Sequence, residues 1–455
     1  MLYLYNSRTK EKEIFVSVYD HHASMYTCGP TVYNYAHIGN LRTYVFEDIL
    51  RRVLKYNGYK VNHVMNITDV GHLTDDADQG EDKMEKGSKR EGKTAWEIAE
   101  FYEKAFKKDL ITLNILEPTT WCKATNHIDE QIAMVTTLLE KGNAYKTKDG
   151  VYFDTTSIPD YGKIANIQNQ ELDAGSRVEM GEKKNIHDFA LWKFTKEGEN
   201  RQMEWIAFEK KGFPGWHIEC SAMAVKYLGE QFDIHCGGID HIPVHHTNEI
   251  AQTEAVTEKK PWVKYWLHGE FLLIEKDKMA KSGDNFITLQ TLEKKGIDPL
   301  AYRYFLLQGH YRKQLHFTFE ALEAASQGLK RLRNTIANIS EEAVKDMSVA
   351  GAFLEAINDD LNTPEALAIL WKGLKDKVVT KEIVTDFDKV LGLKLLDLET
   401  KEAIIPENIQ ILVEKRKQAR SEKNWELSDS LRNEIIELGY EVEDTQDGQQ
   451  VYIST

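Results

Sequence analysis

Apolar side chains recur along this chain with two different periods, and the places where one gives way to the other outline its parts. SMYTC (24–28) and VNHVMNITDV (61–70) are short β-like runs. Between them Leu41, Val45, Ile49, Val53 and Leu54 repeat at helical spacing from about Asn40, and Gly58 ends the series. Such spacing lines one face of a helix, and a glycine just past it is a common stop. Strand, helix and strand in that order predict a parallel βαβ unit. The stretch 75–93 is highly charged and punctuated by glycines, which predicts a solvated loop for most of its length. From 115 to 205 the text changes to short strands between polar turns, GVYFDTT and FALWKF, and reads as an insertion into the α/β core. Sheet-like runs return with FDIHCGG and YWLHGEFLLIE. After about Asp298 the chain turns helical, with Leu322, Ala325, Leu329, Leu332, Ile336 and Ile339 three and four apart, as in an amphipathic bundle helix. The tail from about Pro406 predicts one charged helix and a hairpin turning at Asp447-Gly448.

Composition narrows the picture only a little. The 455 residues exceed a single hydrophobic core, so several domains are expected. An apolar share of 42% and a charged share of 29% are ordinary for a globular protein. No apolar run approaches the roughly 20 residues of a membrane span, and MLYLYNSRTKEKEIF lacks the layout of a signal peptide. A cytoplasmic location without membrane attachment is expected by default. Cys28, Cys122, Cys220 and Cys236 are too few for a disulfide framework and read as free thiols or metal ligands. A net charge of −15 argues against a general nucleic-acid coat but leaves room for a local basic strip.

Two short motifs carry the chemistry. His37-Ile38-Gly39-Asn40 follows a strand and opens a helix, where free N–H groups and the helix dipole make a phosphate site. Gly39 permits close approach of a nucleotide, and His37 can donate to a phosphate oxygen as charge develops there. Alone, a histidine at a helix start is more often a cap or a core residue. Lys278-Met279-Ala280-Lys281-Ser282 precedes a Gly-Asp-Asn turn, and its two lysines can hold a polyphosphate leaving group. Alone, it reads as a solvated loop. Their pairing, a strand-to-helix turn early and a lysine loop after the last sheet strand, is the informative feature.

With that pairing the chain resembles the class I aminoacyl-tRNA synthetases, Rossmann-type enzymes that adenylate an amino acid and pass it to tRNA. It is similar to the cysteine-specific members in MYTCGPTVYNYAHIGNLRTYV, GWHIECSAMAVKYLG, FDIHCGGIDHIPVHHTNEIAQTEA and DDLNTPEALAIL, and the likeness runs from residue 1 to the final DTQDG. The fold class implied is α/β, a parallel-sheet catalytic domain with an inserted connective subdomain, then a helical bundle and a small α+β anticodon-binding module. The corresponding parts are 1–115 and 206–300 for the two catalytic halves, 116–205 for the insertion, 301–404 for the tRNA-binding bundle and 405–455 for the module. ATP, L-cysteine and tRNA(Cys) are the implied partners, with Mg2+ accompanying ATP and a monomer favoured.

His245 and Glu249 lie four apart, so a helix would point both at a common ion. Scattered cysteines are more often small buried apolar residues, but the resemblance adds Cys28 and Cys220 as ligands of one zinc ion per chain. Zinc binds thiolate far better than hydroxyl, so a substrate cysteine is separated from serine without an editing domain. The resemblance also places Gly29, Thr31, Thr68 and Trp216 around the cysteine, the last with core packing as its plain alternative. His37, Gly39, Asn40, Gly238, Asp240, Lys278 and Lys281 are placed around ATP, with His37, Asn40, Lys278 and Lys281 catalytic. His246 reads as a supporting group. Departures from the family pattern are Asn40 for a second histidine, Ala280 for a serine, Cys236 for a usual glycine, and Pro243-Val244 before the His245 segment. Near the C-terminus Arg416, Lys417, Arg420 and Lys423 stand at helical spacing as a basic strip for backbone phosphate. Trp425 could stack or pack, and Asp444 is a base-edge contact by resemblance. The rival readings are a cysteine ligase acting on an amino-sugar, which needs no anticodon module, and a zinc hydrolase, which leaves the motif pair unexplained. A third is an RNA-binding protein that keeps the fold without the catalysis.

Overall fold

The computed structural model describes residues 1–71, 82–166, 182–199, 201–274, 287–340, 343–397, 406–445 and 448–453. They fall into two units, Met1–Leu395 and Leu396–Thr455.

The first unit begins with a hairpin, β1 (Tyr3–Asn6) and β2 (Glu11–Ile14), followed by β3 (His22–Thr27), α1 (Ile38–Tyr56) and β4 (Lys60–Ile67). β3 and β4 pair in parallel, so the expected βαβ unit is present. Next come α2 (Lys83–Glu91), α3 (Ala95–Thr112) and β5 (Thr120–Lys123), which extends the sheet beside β4. α2 takes the place of residues 83–91 of the loop expected over 75–93, of which 75–81 lie outside the described residues. Asp82 caps it by accepting from the N–H groups of Met84 and Glu85, and Gly92 closes it with φ 66°.

α4 (Ile128–Glu140), β6 (Ala144–Lys146), β7 (Gly150–Phe153), β8 (Phe189–Phe194), β9 (Trp205–Ala207) and β10 (Lys210–Pro214) form the insertion. Its antiparallel sheet has the order β6-β7-β8-β10-β9. The insertion is therefore displaced from the expected 116–205, because β5 belongs to the parallel sheet while β10 completes the antiparallel one. Val135, Leu138, Phe153, Leu191 and Trp192 fill its core, each burial contributing about 1.5–3 kcal/mol.

The chain then returns through α5 (Trp216–Leu228), β11 (Phe232–Gly238), α6 (Thr247–Thr257) and β12 (Val263–Gly269). The parallel sheet has the order β12-β11-β3-β4-β5. From β3 the chain first builds outward through β4 and β5, then restarts on the other side with β11 and β12. The order thus reverses between β3 and β11, and open α/β sheets open a crevice at the carboxyl ends of such strands. Cys28 follows β3 there, and Gly238 ends β11.

β13 (Leu272–Ile274), α7 (Leu289–Lys294), α8 (Pro299–Leu307) and β14 (Leu315–Phe317) carry the chain out of the sheet, with β13 and β14 parallel. α9 (Phe319–Ala337), α10 (Met347–Asn358), α11 (Thr363–Lys375) and α12 (Lys381–Leu391) complete the first unit. Leu322, Ala325, Leu329, Leu332 and Ile336 are the buried face of α9, while Ile339 lies beyond its end and is half-buried. A buried ionic node ties the elements together. Burial opposes ionisation of Asp48 on α1, yet Arg303 of α8 at 2.6 Å and Arg52 at 2.7 Å hold its pKa below the usual carboxylate range. The same guanidiniums donate to the carbonyls of Leu113, Asn114, Lys389 and Leu391.

The second unit holds α13 (Glu407–Ser421), α14 (Trp425–Glu437) and the antiparallel pair β15 (Tyr440–Thr445) and β16 (Gly448–Ile453). The single expected helix is two. Lys423 adopts φ 59° and Asn424 caps the second helix by accepting from the Leu427 N–H at 3.2 Å. Among the described residues, no helix is long and apolar enough to cross a membrane.

Candidate active site

The strand ends lay down one wall of a crevice. Gly29 donates its N–H to Asn66 Oδ1 at 2.8 Å, and Asn66 Nδ2 donates to Thr68 Oγ1 at 3.1 Å. Thr31 and Thr68 form a β-bridge, so the turns after β3 and β4 run side by side. A Cβ on Gly29 would lie 1.7 Å from the Asn66 carbonyl oxygen, so only glycine permits this approach. Trp216, the first residue of α5, stacks on His245 with ring centroids 4.5 Å apart. These residues line one cavity together with Cys28, Cys220, His37, Asn40, Gly238, Asp240 and His245.

At the nucleotide end His37 is the N-cap of α1. Its Nδ1 accepts the Asn40 N–H at 3.2 Å, and Asn40 Oδ1 accepts the His37 N–H in return. The cap and phosphate roles of His37 are thus compatible: with Nδ1 accepting, the neutral ring carries its proton on Nε2. Burial holds its pKa low against the opposing charge of Asp240, which keeps the ring neutral at physiological pH. Asn40 commits its oxygen to the turn and has only its amide N–H groups to offer. A Cβ on Gly238 would lie 2.3 Å from Asp240 Oδ1, so any larger residue there would push that carboxylate aside.

Lys278, Ala280 and Lys281 lie outside the described residues. The residues flanking that segment do not. Ile38 donates its N–H to the Ile287 carbonyl at 2.8 Å, and His37 bridges Thr288. On the other side Arg42 of α1 donates to the carbonyls of Phe271 and Lys313. Both ends of the lysine segment are therefore fastened to the helix that opens with His37.

Deeper in the crevice Cys28, Cys220, His245 and Glu249 bring one ligand atom each within 4.8 Å of one another, all buried. Two thiols, an imidazole and a carboxylate suit a tetrahedral zinc site. Glu249 Oε1 is buried without a hydrogen bond although His245 Nε2 lies 3.0 Å away, as expected of an atom aimed at an ion. The hydrogen bond with Cys28 draws the Cys220 pKa down to about 6, against the effect of burial, while burial pushes Cys28 up.

A second set, Cys28, His235, His246 and Glu249, meets the same distance criterion. Of the groups that differ, only Cys220 and His245 face the cavity. His235 instead sits 3.0 Å from Glu249 Oε2, and His246 joins Cys28 Sγ at 3.4 Å to His268 at 2.7 Å and on to Ser7. His217 Nδ1 lies 3.0 Å from His245 Nδ1. These rings brace the cavity-facing ligands from behind. Pro243-Val244 falls in a wide helical turn, Ile242–His246, that sets His245 just before α6 begins.

Asn66, His217, His235 and His268 were not singled out in the sequence. For Asn66 the available signal was an amide at the carboxyl end of a sheet strand, one residue before Ile67-Thr68. Cys236 is fully buried on β11, near the carboxyl of Glu47 on α1.

In the second unit Arg416 is only 2% exposed, so it does not belong to an open basic strip. Lys417 and Lys423 are exposed, and the Arg420 guanidinium lies 5.6 Å from the Trp425 ring, which is itself exposed. The side chain of Asp444, on β15, is outside those described.

Residues 14–327 match the family described as the class I (C) tRNA synthetase catalytic domain, and 404–451 match the cysteinyl-tRNA ligase anticodon binding domain. A cysteine–tRNA ligase 1 of Burkholderia lata is 51% identical, over 99% of this chain and 97% of its own length. The cysteine–tRNA ligase of Treponema denticola is 46% identical, over 97% and 98%. Methionyl-tRNA synthetase of Mycobacterium tuberculosis with methionyl-adenylate shares the fold, with a TM-score of 0.58 at 14% identity, over 82% of this chain and 88% of that one.

Proposed function

Because the chain belongs to the cysteine-specific class I tRNA synthetases, we propose that its crevice activates L-cysteine with ATP and passes it to tRNA(Cys). The single observation that carries this reading is the meeting of two kinds of chemistry in one cavity. A helix-capping histidine and a glycine-lined strand end stand at one side, and a thiol-rich ligand set at the other.

In the first step the cysteine carboxylate attacks the α-phosphate of ATP, a P–O bond to pyrophosphate breaks, and cysteinyl-adenylate forms. The His37 Nε2–H and the Gly39 N–H are the donors we assign to the phosphates, since the N–H groups of Ile38 and Asn40 are taken by Ile287 and His37. Asp240 takes the ribose side, by family resemblance. By family resemblance Lys278 and Lys281 would hold the departing pyrophosphate, and Mg2+ accompanying ATP would offset its charge. In the second step a ribose hydroxyl at the tRNA 3′ end attacks the adenylate carbonyl and AMP leaves.

Cys28, Cys220, His245 and Glu249 would hold the ion, for which we propose zinc. Held there, zinc supplies a soft Lewis acid that prefers a thiolate to a hydroxyl. Thr68, oriented by Asn66, and Trp216, stacked on His245, fix the rest of the amino acid. A monomer working in the cytoplasm completes the reading.

Cysteine-dependent ATP–pyrophosphate exchange, followed by charging of total tRNA, tests it. Exchange is expected, weakened by a chelator and by Cys220→Ser mainly through the KM for cysteine. An unchanged cysteine KM in Cys220→Ser overturns the ion's role. No exchange overturns the activity, and exchange without charging favours the amino-sugar ligase.

A further inference from the structure

Three aromatic rings stand beside the mouth of the cavity. Tyr35, which lines it, meets Tyr102 edge-on at 5.0 Å and Phe101 at 6.1 Å, and Phe101 meets Tyr102 at 5.1 Å. Tyr102 is buried, whereas Phe101 is 42% exposed on α3. Two cations frame the rings. Lys93 Nζ lies 4.5 Å from the Phe101 centroid, and Arg90 donates to the Tyr33 carbonyl and the Tyr102 hydroxyl, both at 3.1 Å. Tyr33 lines the cavity too. Lys86, Lys89, Arg90 and Lys93 are all exposed, in a chain whose net charge is −15. Of the nearby acids, Glu91 is engaged by Arg90 and Tyr102, Glu97 by the Thr94 cap, and Glu100 by Lys104.

An exposed aromatic face with adjoining cations is the arrangement that binds unpaired nucleotides, by stacking on the base and screening of the backbone. We propose that Phe101, with Lys93 and Arg90, is a platform for the single-stranded 3′ end of the tRNA. There it stacks a nucleotide of that end while the terminal ribose enters the cavity past Tyr33 and Tyr35. This rests on the synthetase reading, since only the transfer step needs that strand. The choice of occupant follows from continuity, because Tyr35, which borders Phe101, is also a wall of the cavity where the strand must end.

The test compares wild type with Phe101→Ala, Phe101→Trp and Lys93→Glu. Pyrophosphate exchange is expected to stay within about twofold in all of them, which also reports that they fold. The kcat/KM for charging should fall about tenfold or more in Phe101→Ala and Lys93→Glu and recover in Phe101→Trp, the size expected for loss of one stacked base. Wild type should bind intact tRNA more tightly than tRNA trimmed of its last three nucleotides, and Phe101→Ala should lose that difference. Full charging by Phe101→Ala overturns the platform, as does an undiminished preference for intact over trimmed tRNA. A change in self-association with charging intact would assign the face to a second copy of the chain instead. Failure of exchange in wild type would sink the synthetase reading and leave the platform no substrate.

Discussion

At the scale of single residues the most exposed inconsistency is Glu47. It sits on α1, 1% exposed, and neither carboxylate oxygen has a hydrogen-bond partner. Burial raises its pKa well above the ordinary value, so the folded protein keeps a proton that the unfolded chain releases. The sign follows from linkage. The contribution is fully present below the ordinary carboxylate range and is lost as pH rises through the raised folded value. Urea midpoints of wild type should therefore fall between pH 5 and pH 9 more steeply than those of Glu47→Gln, and equal slopes would contradict this. Glu47→Met, which removes the unsatisfied group, should add about 1–3 kcal/mol at neutral pH. His37, by contrast, was legible as a residue whose ring could cap or donate, and the structure gives Nδ1 to the cap. What the chain text did not disclose is how the ligand set is braced. Histidines at 217, 235 and 268 are far apart in sequence, and only sheet order makes them neighbours.

At the scale of elements, α1 and the buried face of α9 were readable because their apolar spacing is regular and tertiary contacts agree with it. α2 was hidden by its composition. Six of its nine residues are charged, and only the Asp82 cap and the Gly92 stop mark its ends. The break between α13 and α14 likewise depends on one left-handed backbone position at Lys423, which no periodicity reveals. The Asp48 node has consequences of the same order. Asp48→Asn leaves Arg52 and Arg303 buried without the carboxylate that both contact, and breaking such a pair costs about 3–5 kcal/mol. A urea midpoint within error of wild type would show that the helices are held by their apolar contacts alone.

At the scale of the whole molecule the two units have separable tasks. Residues 1–395 contain the cavity, the ligand set and the sheet that positions both. A chain ending at Leu395 should keep pyrophosphate exchange within a few-fold of wild type and lose at least tenfold in kcat/KM for tRNA charging. Equal losses in both assays would mean that the second unit supports the crevice itself. The division of labour was visible in the text, since the charged tail differs in character from the apolar sheet runs. The exact limits of the insertion were not, because β5 and β10 are too short to announce which sheet they join.

The reversal of strand order has one more consequence, in time. Cys28 leaves the ribosome early, while Cys220, His245 and Glu249 follow only after the whole insertion has been made. β3, β4 and β5 can pair as they emerge, but the ligand set stays open until β11 docks on the far side of β3. Closing so long a loop is slow. A nascent chain therefore carries an early thiol that waits for its partners, and any ion the set takes up would be held only once synthesis has passed Glu249.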